Sequence, residues 1–451
     1  MARTPSYEEW RRSFFAGEKA MRSKIGAGAN LLASALFAFG GLHFNAQVAR
    51  ADGNGGALIA TAASLAQYLQ TTSYDSPGWA EPTPATTESV VYNFANPPDA
   101  YGPKCNLVFD DAGNMYGTTF SGGQHNLGAV FKVTPAGTES VIYSFAGGTD
   151  GAHPVGGLIW YPQSRFFFGT TVVGGSANNG TIFGVSPIGT EAVFYNFMGG
   201  TDGANPYSSL VLVDDSVHVR DLFGTTYNGG AFGYGMVFKF DLQNETESVL
   251  HSFNSAFPTL DGSYPYAGLV LRHGIFFGTT TLGGASNFGT VFSITPDGTY
   301  GLLHSFKGGS QDGQSPSGGV VFDTNENLYG TTYLGGNHNG GTVFVIPAVG
   351  KETVLHHFHR LSTDGANPYA SMIRVGKNLY GTTYLGGSAN GGTVFKITLA
   401  GVERVLHSFA GGAADGANPY SDLLLGPSNT FYGTTLFGGT SNIGTVFKLI
   451  P

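Results

Sequence analysis

Aspartates recur at one position of a repeating pattern along this sequence, each four residues before a proline. They are Asp99, Asp150, Asp202, Asp261, Asp312, Asp364 and Asp415. A ring of carboxylates could bind Ca²⁺, which takes about six to eight oxygen ligands converging on one point. Each aspartate, however, belongs to a different repeat and is followed by Gly (Ala after Asp99), which is typical of a turn whose carboxylate accepts a local backbone N–H. We therefore interpret the aspartates as turn residues and predict no metal site.

Two further polar positions recur. The first carries His251, His304, His356 and His407, and in other repeats Tyr143 and Tyr195. Because His and Tyr are interchangeable there, we interpret the position as filling space with a polar tip and expect no metal role. The second carries Asn126, Asn178, Asn287, Asn339, Asn390 and Asn442, with Gly233 in the remaining repeat. Asn and Gly both tolerate positive φ, which predicts a left-handed turn residue.

The sequence contains no assembled catalytic motif. No nucleophile motif, phosphate-binding loop, Cys/His metal spacing or pair of carboxylates stands out from the repeats. Catalytic residues therefore cannot be assigned, no cofactor is predicted, and whether the protein is an enzyme stays open. The single cysteine, Cys105, excludes an intrachain disulfide.

The elements that position these residues come from an internal repeat of just over fifty residues. The block aromatic-Gly-Thr-Thr begins at Tyr116, Phe168, Phe223, Phe277, Tyr329, Tyr380 and Tyr432. The same gap-free pattern follows each block: Gly-Gly, a further Gly, then an aliphatic residue and Phe. Each unit holds four short β-like runs separated by turn residues, which predicts a four-stranded antiparallel sheet. Such a sheet is apolar on both faces and cannot bury them alone.

We therefore predict an all-β fold, a seven-bladed β-propeller over residues 88–451. The first run, residues 89–94, matches the fourth strand of the unit, and the last run, 445–450, matches the third. The C-terminal blade thus lacks a fourth strand that the N-terminal run can supply. We predict that 89–94 pairs with 445–450 and closes the ring.

In this fold the aspartate loops and the loops between second and third strands lie at the same end of the blades, which we call the Asp–Gly face. Loop residues at that end are the natural contacts for a ligand at the central opening. The candidate ligand-binding residues are His125, His153, Asp202, His338, Asp364 and Asp415. His153 and the other loop histidines could act as general bases, but the sequence does not bring them together.

The N-terminal region differs in composition from the repeats. Residues 25–44 carry no formal charge, follow a basic stretch and precede Ala49-Arg50-Ala51, a pattern typical of a cleaved secretory signal. An uncleaved membrane anchor is the alternative, because twenty uncharged residues just suffice to span a bilayer. We predict an export signal or anchor over 1–51 and a flexible linker over 52–87.

Charge argues against one class of partner. The first 50 residues hold seven of the 21 basic residues and three acidic ones, so the remainder carries 14 basic and 27 acidic residues, a formal net charge of −13. A nucleic-acid-binding protein needs a concentrated basic face, and none is visible. We expect no nucleic-acid partner, membrane contact only through an uncleaved N-terminal segment, and a monomer.

The string YGTT-x-x-GG-x4-G-x-VFK, followed by runs such as TVLHHF and DGANP, resembles the GloVer tandem repeat of bacterial surface and secreted proteins with varied anchors. The resemblance covers about residues 88–451 in seven copies. It implies export and a propeller-like array, and it brings no defined activity or catalytic residue.

Together these observations favour a secreted, periplasmic or cell-surface propeller that binds a glycan or a surface protein without catalysis. The alternative is an enzyme acting on an extracellular polysaccharide, a lyase or hydrolase, with its site at the central opening. An enzyme should place two or three unlike polar residues around the axis at one end, whereas a near-symmetric rim favours binding.

Overall fold

The computed structural model describes residues 86–214, 220–255, 261–360 and 364–451. The signal or anchor predicted for 1–51 and nearly all of the linker predicted for 52–87 lie outside these residues. Among the described residues, no helix is long and apolar enough to cross a membrane.

Each repeat folds into a four-stranded antiparallel sheet, here called a blade, with the strands in sequence order. The strands of blades 1 to 3 are Val108–Phe109, Met115–Thr119, Ala129–Val133 and Glu139–Ser144; Ile159–Tyr161, Phe166–Thr171, Thr181–Val185 and Glu191–Asn196; and Val211–Val213, Asp221–Thr226, Met236–Asp241 and Thr246–Ser252. Those of blades 4 to 6 are Val270–Arg272, Ile275–Thr280, Thr290–Ile294 and Tyr300–Ser305; Val321–Phe322, Leu328–Thr332, Thr342–Ile346 and Thr353–His357; and Ile373–Val375, Asn378–Thr383, Thr393–Thr398 and Glu403–Ser408. The β-branched and aromatic residues of these runs favour extended backbone, and the Gly-rich links supply the turns.

The seventh blade is built from both ends of the chain. Its inner strands are Gly416–Pro419 and Leu424–Leu425, which pair with Phe431–Gly438, followed by Thr445–Ile450. The N-terminal strand Thr87–Asn93 pairs antiparallel with Thr445–Ile450, from Thr87 opposite Ile450 to Asn93 opposite Thr445. The predicted closing strand is confirmed, and the fold is a ring of seven blades, a β-propeller.

Shorter elements complete the Asp–Gly face. Two-residue pairs join Ala100–Tyr101 to Ser121–Gly122, Gly262–Ser263 to Leu282–Gly283, Gly313–Gln314 to Leu334–Gly335, and Gly365–Ala366 to Leu385–Gly386. Short 3₁₀ turns span Gly148–Asp150 and Gly200–Asp202 at this face, and a third, Pro427–Asn429, lies at the opposite end of blade 7 between its first and second strands. All six turn asparagines and Gly233 have positive φ, so the left-handed turn prediction is confirmed.

Two apolar rings meet at each interface between neighbouring blades. A Phe just after the fourth strand of one blade packs edge-to-face against the third-strand Phe of the next, as in Phe409 and Phe447 with centroids 5.1 Å apart. The other pairs are Phe94–Phe131, Phe145–Phe183, Phe197–Phe238, Phe253–Phe292, Phe306–Phe344 and Phe358–Phe395. All these rings are buried. Such a pair contributes about 0.5–1.5 kcal/mol beyond its apolar burial.

Hydrogen bonds also cross every interface near the inner strands. The first threonine of each Thr-Thr pair donates its hydroxyl to a backbone carbonyl of the next blade; Thr118 to Gly156 is one example, at 3.2 Å. The seventh of these bonds runs from Thr434 to Cys105 and links the last blade to the first. Closure therefore uses side-chain donors as well as the N-terminal strand.

Every fourth strand contains a β-bulge. In blade 6 Phe395 lies opposite Val405 but Val394 lies opposite His407, so Leu406 is the extra residue. Since Phe395 and Val394 point to opposite faces, Val405 and His407 do too. Regular alternation would place Val405 and His407 on one face of the sheet, and the bulge places them on opposite faces.

Candidate functional site

The residue that follows the repeated proline is, in chain order, Lys104, Val155, Tyr207, Tyr266, Ser317, Tyr369 and Tyr420. Five of these residues, Lys104 and the four tyrosines, form one group of contacts at the Asp–Gly face. The hydroxyls of Tyr266 and Tyr420 lie 2.6 Å apart although they belong to blades 4 and 7. Blades that are three apart in a ring of seven are nearly opposite, so these tyrosines meet across the axis.

Four tyrosines form one cluster, which we call the axial tyrosines: Tyr207, Tyr266, Tyr369 and Tyr420. Tyr207 stacks on Tyr266 with centroids 5.1 Å apart, and Tyr369 stacks on Tyr420 at 4.3 Å. Tyr266 meets Tyr369 edge-on at 5.4 Å and joins the two stacks. Burial raises the pKa of both Tyr266 and Tyr420 above the ordinary tyrosine value, so their hydroxyls stay protonated and can donate hydrogen bonds.

Further aromatic side chains lie beside the axial tyrosines. They come from the residue after Thr-Thr, which is Phe120, Tyr227, Tyr333 or Tyr384 in four of the blades. Tyr227 contacts Tyr207, Tyr333 contacts Tyr369, and Tyr384 contacts Tyr420, each near-perpendicular with centroids 5.3 to 6.2 Å apart. These residues are only half-buried, so the Asp–Gly face presents an aromatic surface to solvent.

Polar residues lie on the blade 1 side of the cluster. The Lys104 ammonium lies 3.9 Å from the centroid of the Phe120 ring and 5.9 Å from that of Tyr420, within cation–π range. His153 stacks on Phe120 at 4.6 Å, and its Nδ1 lies 2.7 Å from the Phe120 carbonyl oxygen. Burial lowers the pKa of Lys104.

Deeper in the opening, hydrogen bonds link neighbouring blades around the axis. Asp422 accepts the Ser371 backbone N–H at 2.6 Å and the Asn106 side-chain amide at 2.7 Å. Ser371 Oγ accepts the N–H of Gly319 at 2.8 Å. Burial raises the pKa of Asp422 to about 6. These bonds connect the inner parts of blades 5, 6, 7 and 1, and Asp422 is the carboxylate among them.

The structure brings only one of the predicted loop histidines to this cluster. His153 belongs to it, as described above. His125 and His338 are exposed in loops between second and third strands, and the His338 ring lies 3.9 Å from that of His359. The three histidines therefore do not form one catalytic group.

The predicted aspartates face the outer edge of the propeller instead of the axis. Asp202 accepts the hydroxyl of Tyr195, and Asp364 and Asp415 lie 3.1 and 3.2 Å from the Nε2 atoms of His356 and His407. Each also accepts a backbone N–H of its own loop. The turn interpretation is therefore confirmed. The His/Tyr position, interpreted as filling space, is in addition the hydrogen-bond partner of the aspartate in the same unit.

Sequence reasoning missed the axial tyrosines and Lys104. Their signal was present at the position after the repeated proline, where Lys, Val, Tyr and Ser all occur. A position that varies while its neighbours repeat is free of the constraints of blade packing. Only the ring, however, turns five of these seven positions into neighbours.

The fold and this site define a seven-bladed propeller with an aromatic cluster at one end of its axis. The profile of the Gloeobacter/Verrucomicrobia repeat matches residues 30–219, 163–321 and 289–451, and the chain belongs to that repeat family. No curated protein matches the sequence.

Solved structures resemble the chain at the level of the fold. TolB from Acinetobacter baumannii is 12% identical with a TM-score of 0.37, covering 66% of this chain, and this chain spans 64% of TolB. An oligogalacturonate lyase from Vibrio parahaemolyticus is 10% identical with a TM-score of 0.47, covering 81% of this chain and 97% of the lyase. A 6-phosphogluconolactonase homologue from Bacteroides uniformis is 14% identical with a TM-score of 0.45, covering 73% and 91%. Likeness at this level carries no information about activity.

Proposed function

We propose that this protein is an exported, non-enzymatic propeller that binds a glycan of the cell surface or extracellular matrix on its Asp–Gly face. The observation that supports the proposal is the meeting of the axial tyrosines from four blades, surrounded by further half-buried rings. Aromatic rings with hydroxyl tips combine a large apolar face with hydrogen-bonding groups, the combination that a sugar ring requires. Membership of a repeat family of bacterial surface proteins supports the exported location.

The charge of the site narrows the ligand class. Lys104 is the cation beside the axial cluster, and it contacts Phe120 and Tyr420. A desolvated ammonium next to stacking rings favours a sugar that carries a carboxylate or another anionic group over a neutral sugar. We therefore expect acidic polysaccharides to bind more tightly than neutral ones, with an affinity that falls as salt rises.

The alternative function is an enzyme acting on a polysaccharide, a lyase or a hydrolase, and a hydrolase needs two carboxylates flanking the bond that is cut. Among the described residues near the axis, Asp422 is the carboxylate, and it already accepts two hydrogen bonds. Lys104 and His153 are unlike polar residues on the rim, which is the arrangement expected of an enzyme. Turnover therefore has to be measured beside binding.

The experiment is a binding array of acidic and neutral polysaccharides with the full-length protein, with product formation assayed on the same polymers. Tyr369→Ala and Tyr420→Ala should each weaken binding about tenfold or more, as buried aromatic contacts do in other interfaces. Ile188→Ala is the control, because Ile188 is an exposed apolar residue in the turn between the third and fourth strands of blade 2, at the end opposite the Asp–Gly face. Binding that the tyrosine variants leave unchanged would contradict the proposal, and product formation would favour the enzyme.

A further inference from the structure

A three-residue group recurs at the outer edge of every blade interface. It contains the His or Tyr of one fourth strand, the aspartate of the loop that follows, and a residue at the beginning of the next fourth strand. These interface triads are Tyr92–Asp99–Glu139, Tyr143–Asp150–Glu191, Tyr195–Asp202–Glu247, His251–Asp261–Tyr300, His304–Asp312–Glu352, His356–Asp364–Glu403 and His407–Asp415–Glu88. Each triad therefore draws ligands from two blades.

The β-bulge explains how one strand serves two triads. In blade 6 Glu403 lies opposite Ile397 and His407 lies opposite Val394. Ile397 and Val394 are three apart on a regular strand, so they point to opposite faces, and the bulge gives Glu403 and His407 the same separation. Glu403 thus faces blade 5, and His407 faces blade 7.

Three triads combine one imidazole with two carboxylates: those of His304, His356 and His407. In each, the His nitrogen and one oxygen from each carboxylate lie within 4.8 Å of one another. In the first, His304 Nε2 lies 3.4 Å from Asp312 Oδ1 and 3.9 Å from Glu352 Oε2. These three atoms enclose a space that a single ion can bridge.

The glutamates carry an independent sign of a missing partner. The Glu352 side chain is 6% exposed, and its Oε1 has no hydrogen-bond partner. The Oε1 atoms of Glu88 and Glu403 are also buried without a partner, and so are those of Glu139, Glu191 and Glu247 in the triads that have tyrosine. A buried carboxylate oxygen without a donor is unfavourable unless it binds a proton or a cation, and the imidazole distinguishes the triads that suit a cation.

We propose that the three His–Asp–Glu triads bind divalent transition-metal ions, with Zn²⁺ as the representative, and that each ion joins two neighbouring blades. One imidazole nitrogen and two carboxylate oxygens form a ligand set that Zn²⁺ accepts, with water completing a tetrahedral shell. Ca²⁺ suits the triads less well, because it prefers six or more oxygen ligands and no imidazole. This proposal departs from two sequence-based expectations, that the repeated aspartates form no metal site and that these histidines bind no metal.

The other four triads each lack one of the proposed metal ligands and serve as internal controls. Three replace the imidazole by a tyrosine hydroxyl that donates to the aspartate, as Tyr92 does to Asp99 at 2.8 Å. The fourth keeps His251 and Asp261 but has Tyr300 in place of the glutamate, and the Tyr300 ring stacks on His251 at 4.2 Å. None of the four offers an imidazole and two carboxylates together, so we expect no ion there.

The test measures zinc retained by the full-length protein after stripping with EDTA, loading with Zn²⁺ and gel filtration. We expect about three ions per chain above the content of the triple variant His304→Tyr/His356→Tyr/His407→Tyr. That variant should fold, because the chain already has tyrosine at this position at three interfaces. The neighbouring side chains of His338 and His359 are present in both proteins, so any zinc bound there cancels in the difference.

A second variant guards against a folding defect in the first. Glu88→Gln/Glu352→Gln/Glu403→Gln keeps the side-chain shape and should also lose the three ions, while unfolding in EDTA at the wild-type midpoint or above. Added Zn²⁺ should raise the midpoint of the wild type only. Equal zinc content in the wild type and either triple variant, or a wild type that retains no zinc, would overturn the proposal.

A gain of binding completes the experiment. Tyr92→His converts the first triad into His–Asp–Glu with Asp99 and Glu139, and we expect one additional ion per chain. The matched change Tyr300→Glu should give the same gain beside His251 and Asp261. If neither variant binds more zinc than the wild type, the triad is not sufficient and the assignment fails.

Discussion

At the scale of single residues, the interface triads show how one geometry can hold a buried carboxylate in two ways. In the Tyr triads the aspartate is satisfied by a hydroxyl and a loop N–H, as Asp150 is by Tyr143 and Ala146. The neighbouring glutamate then has a buried oxygen with no donor. Burial, followed by the charge of the neighbouring aspartate, raises the pKa of Glu139 and of Glu191 to about 8. At neutral pH these glutamates keep a proton.

A pH dependence of stability follows from these raised values. The folded protein holds protons on Glu139 and Glu191 that an unfolded chain, with an ordinary pKa of 4.5, releases. The free energy of unfolding contributed by these groups is therefore fully present below pH 4.5 and is lost as the pH rises through about 8. The variant Glu139→Gln/Glu191→Gln, which cannot ionise there, should show a shallower fall of melting temperature between about pH 5 and 9. Asp111→Asn, at an exposed carboxylate, is the control and should leave the slope unchanged.

Each of these two glutamates faces a tyrosine and an aspartate, which the double variant leaves in place. Tyr92 and Asp99 face Glu139, and Tyr143 and Asp150 face Glu191. Replacing the glutamates removes the raised titrations but leaves both partners. If the double variant reproduced the wild-type slope, the glutamates would already be ionised in the folded protein.

At the scale of elements, the bulge in the fourth strand decides which interface each side chain serves. Leu406 is the extra residue in blade 6, between Val405 and His407. Downstream of it, Phe409 reaches the buried pair with Phe447. Without the extra residue, one side of the bulge would face the wrong blade. Either Glu403 would be misplaced, or His407 and Phe409 would be misplaced together.

Deleting Leu406 should therefore be much more destabilising than truncating it. The deletion forces Phe409 or Glu403 to the wrong face. We expect it to lower the free energy of unfolding by about 3–5 kcal/mol or more, the cost of losing a buried Phe. Leu406→Ala keeps the bulge and should cost about 3 kcal/mol or less, since this leucine is only half-buried. Denaturant titration of both variants measures the difference. Similar values for the two would mean that the bulge does not set the register.

At the scale of the whole molecule, ring closure depends on a strand far away in sequence from its partners. Thr87–Asn93 completes the blade that ends at Ile450, and Phe94 then packs on Phe131 of the first blade. The inner bond from Thr434 to Cys105 crosses the same junction. The junction between the two ends of the chain thus has the same contacts as the other six interfaces.

Deletion of residues 86–95 should lower the free energy of unfolding by more than the loss of Phe94 alone, which costs about 3–5 kcal/mol. The unpaired edge of Thr445–Ile450 would also be exposed to association with other chains. Thermal unfolding with light scattering measures both effects. Deletion of residues 52–85, predicted to be a linker, is the matched control. A midpoint unchanged by the first deletion would show that the ring closes without its N-terminal strand.

The sequence by itself determined the repeat, the blade, the number of blades and the closing strand. Each of these follows from short-range patterns, such as Gly-Thr-Thr strands, Asn turns with positive φ and apolar runs that one sheet cannot bury. The order of the strands then leaves a gap that only the first run fills.

The tertiary structure alone decided which side chains meet. The bulge inverts the face of His407 relative to Val405, which alternation in the sequence cannot show. Tyr266 and Tyr420 are 154 residues apart and touch because the ring places blades 4 and 7 across the axis. The physical reason is that local propensity fixes strands and turns, whereas contacts between blades depend on register and closure, which are properties of the assembled ring.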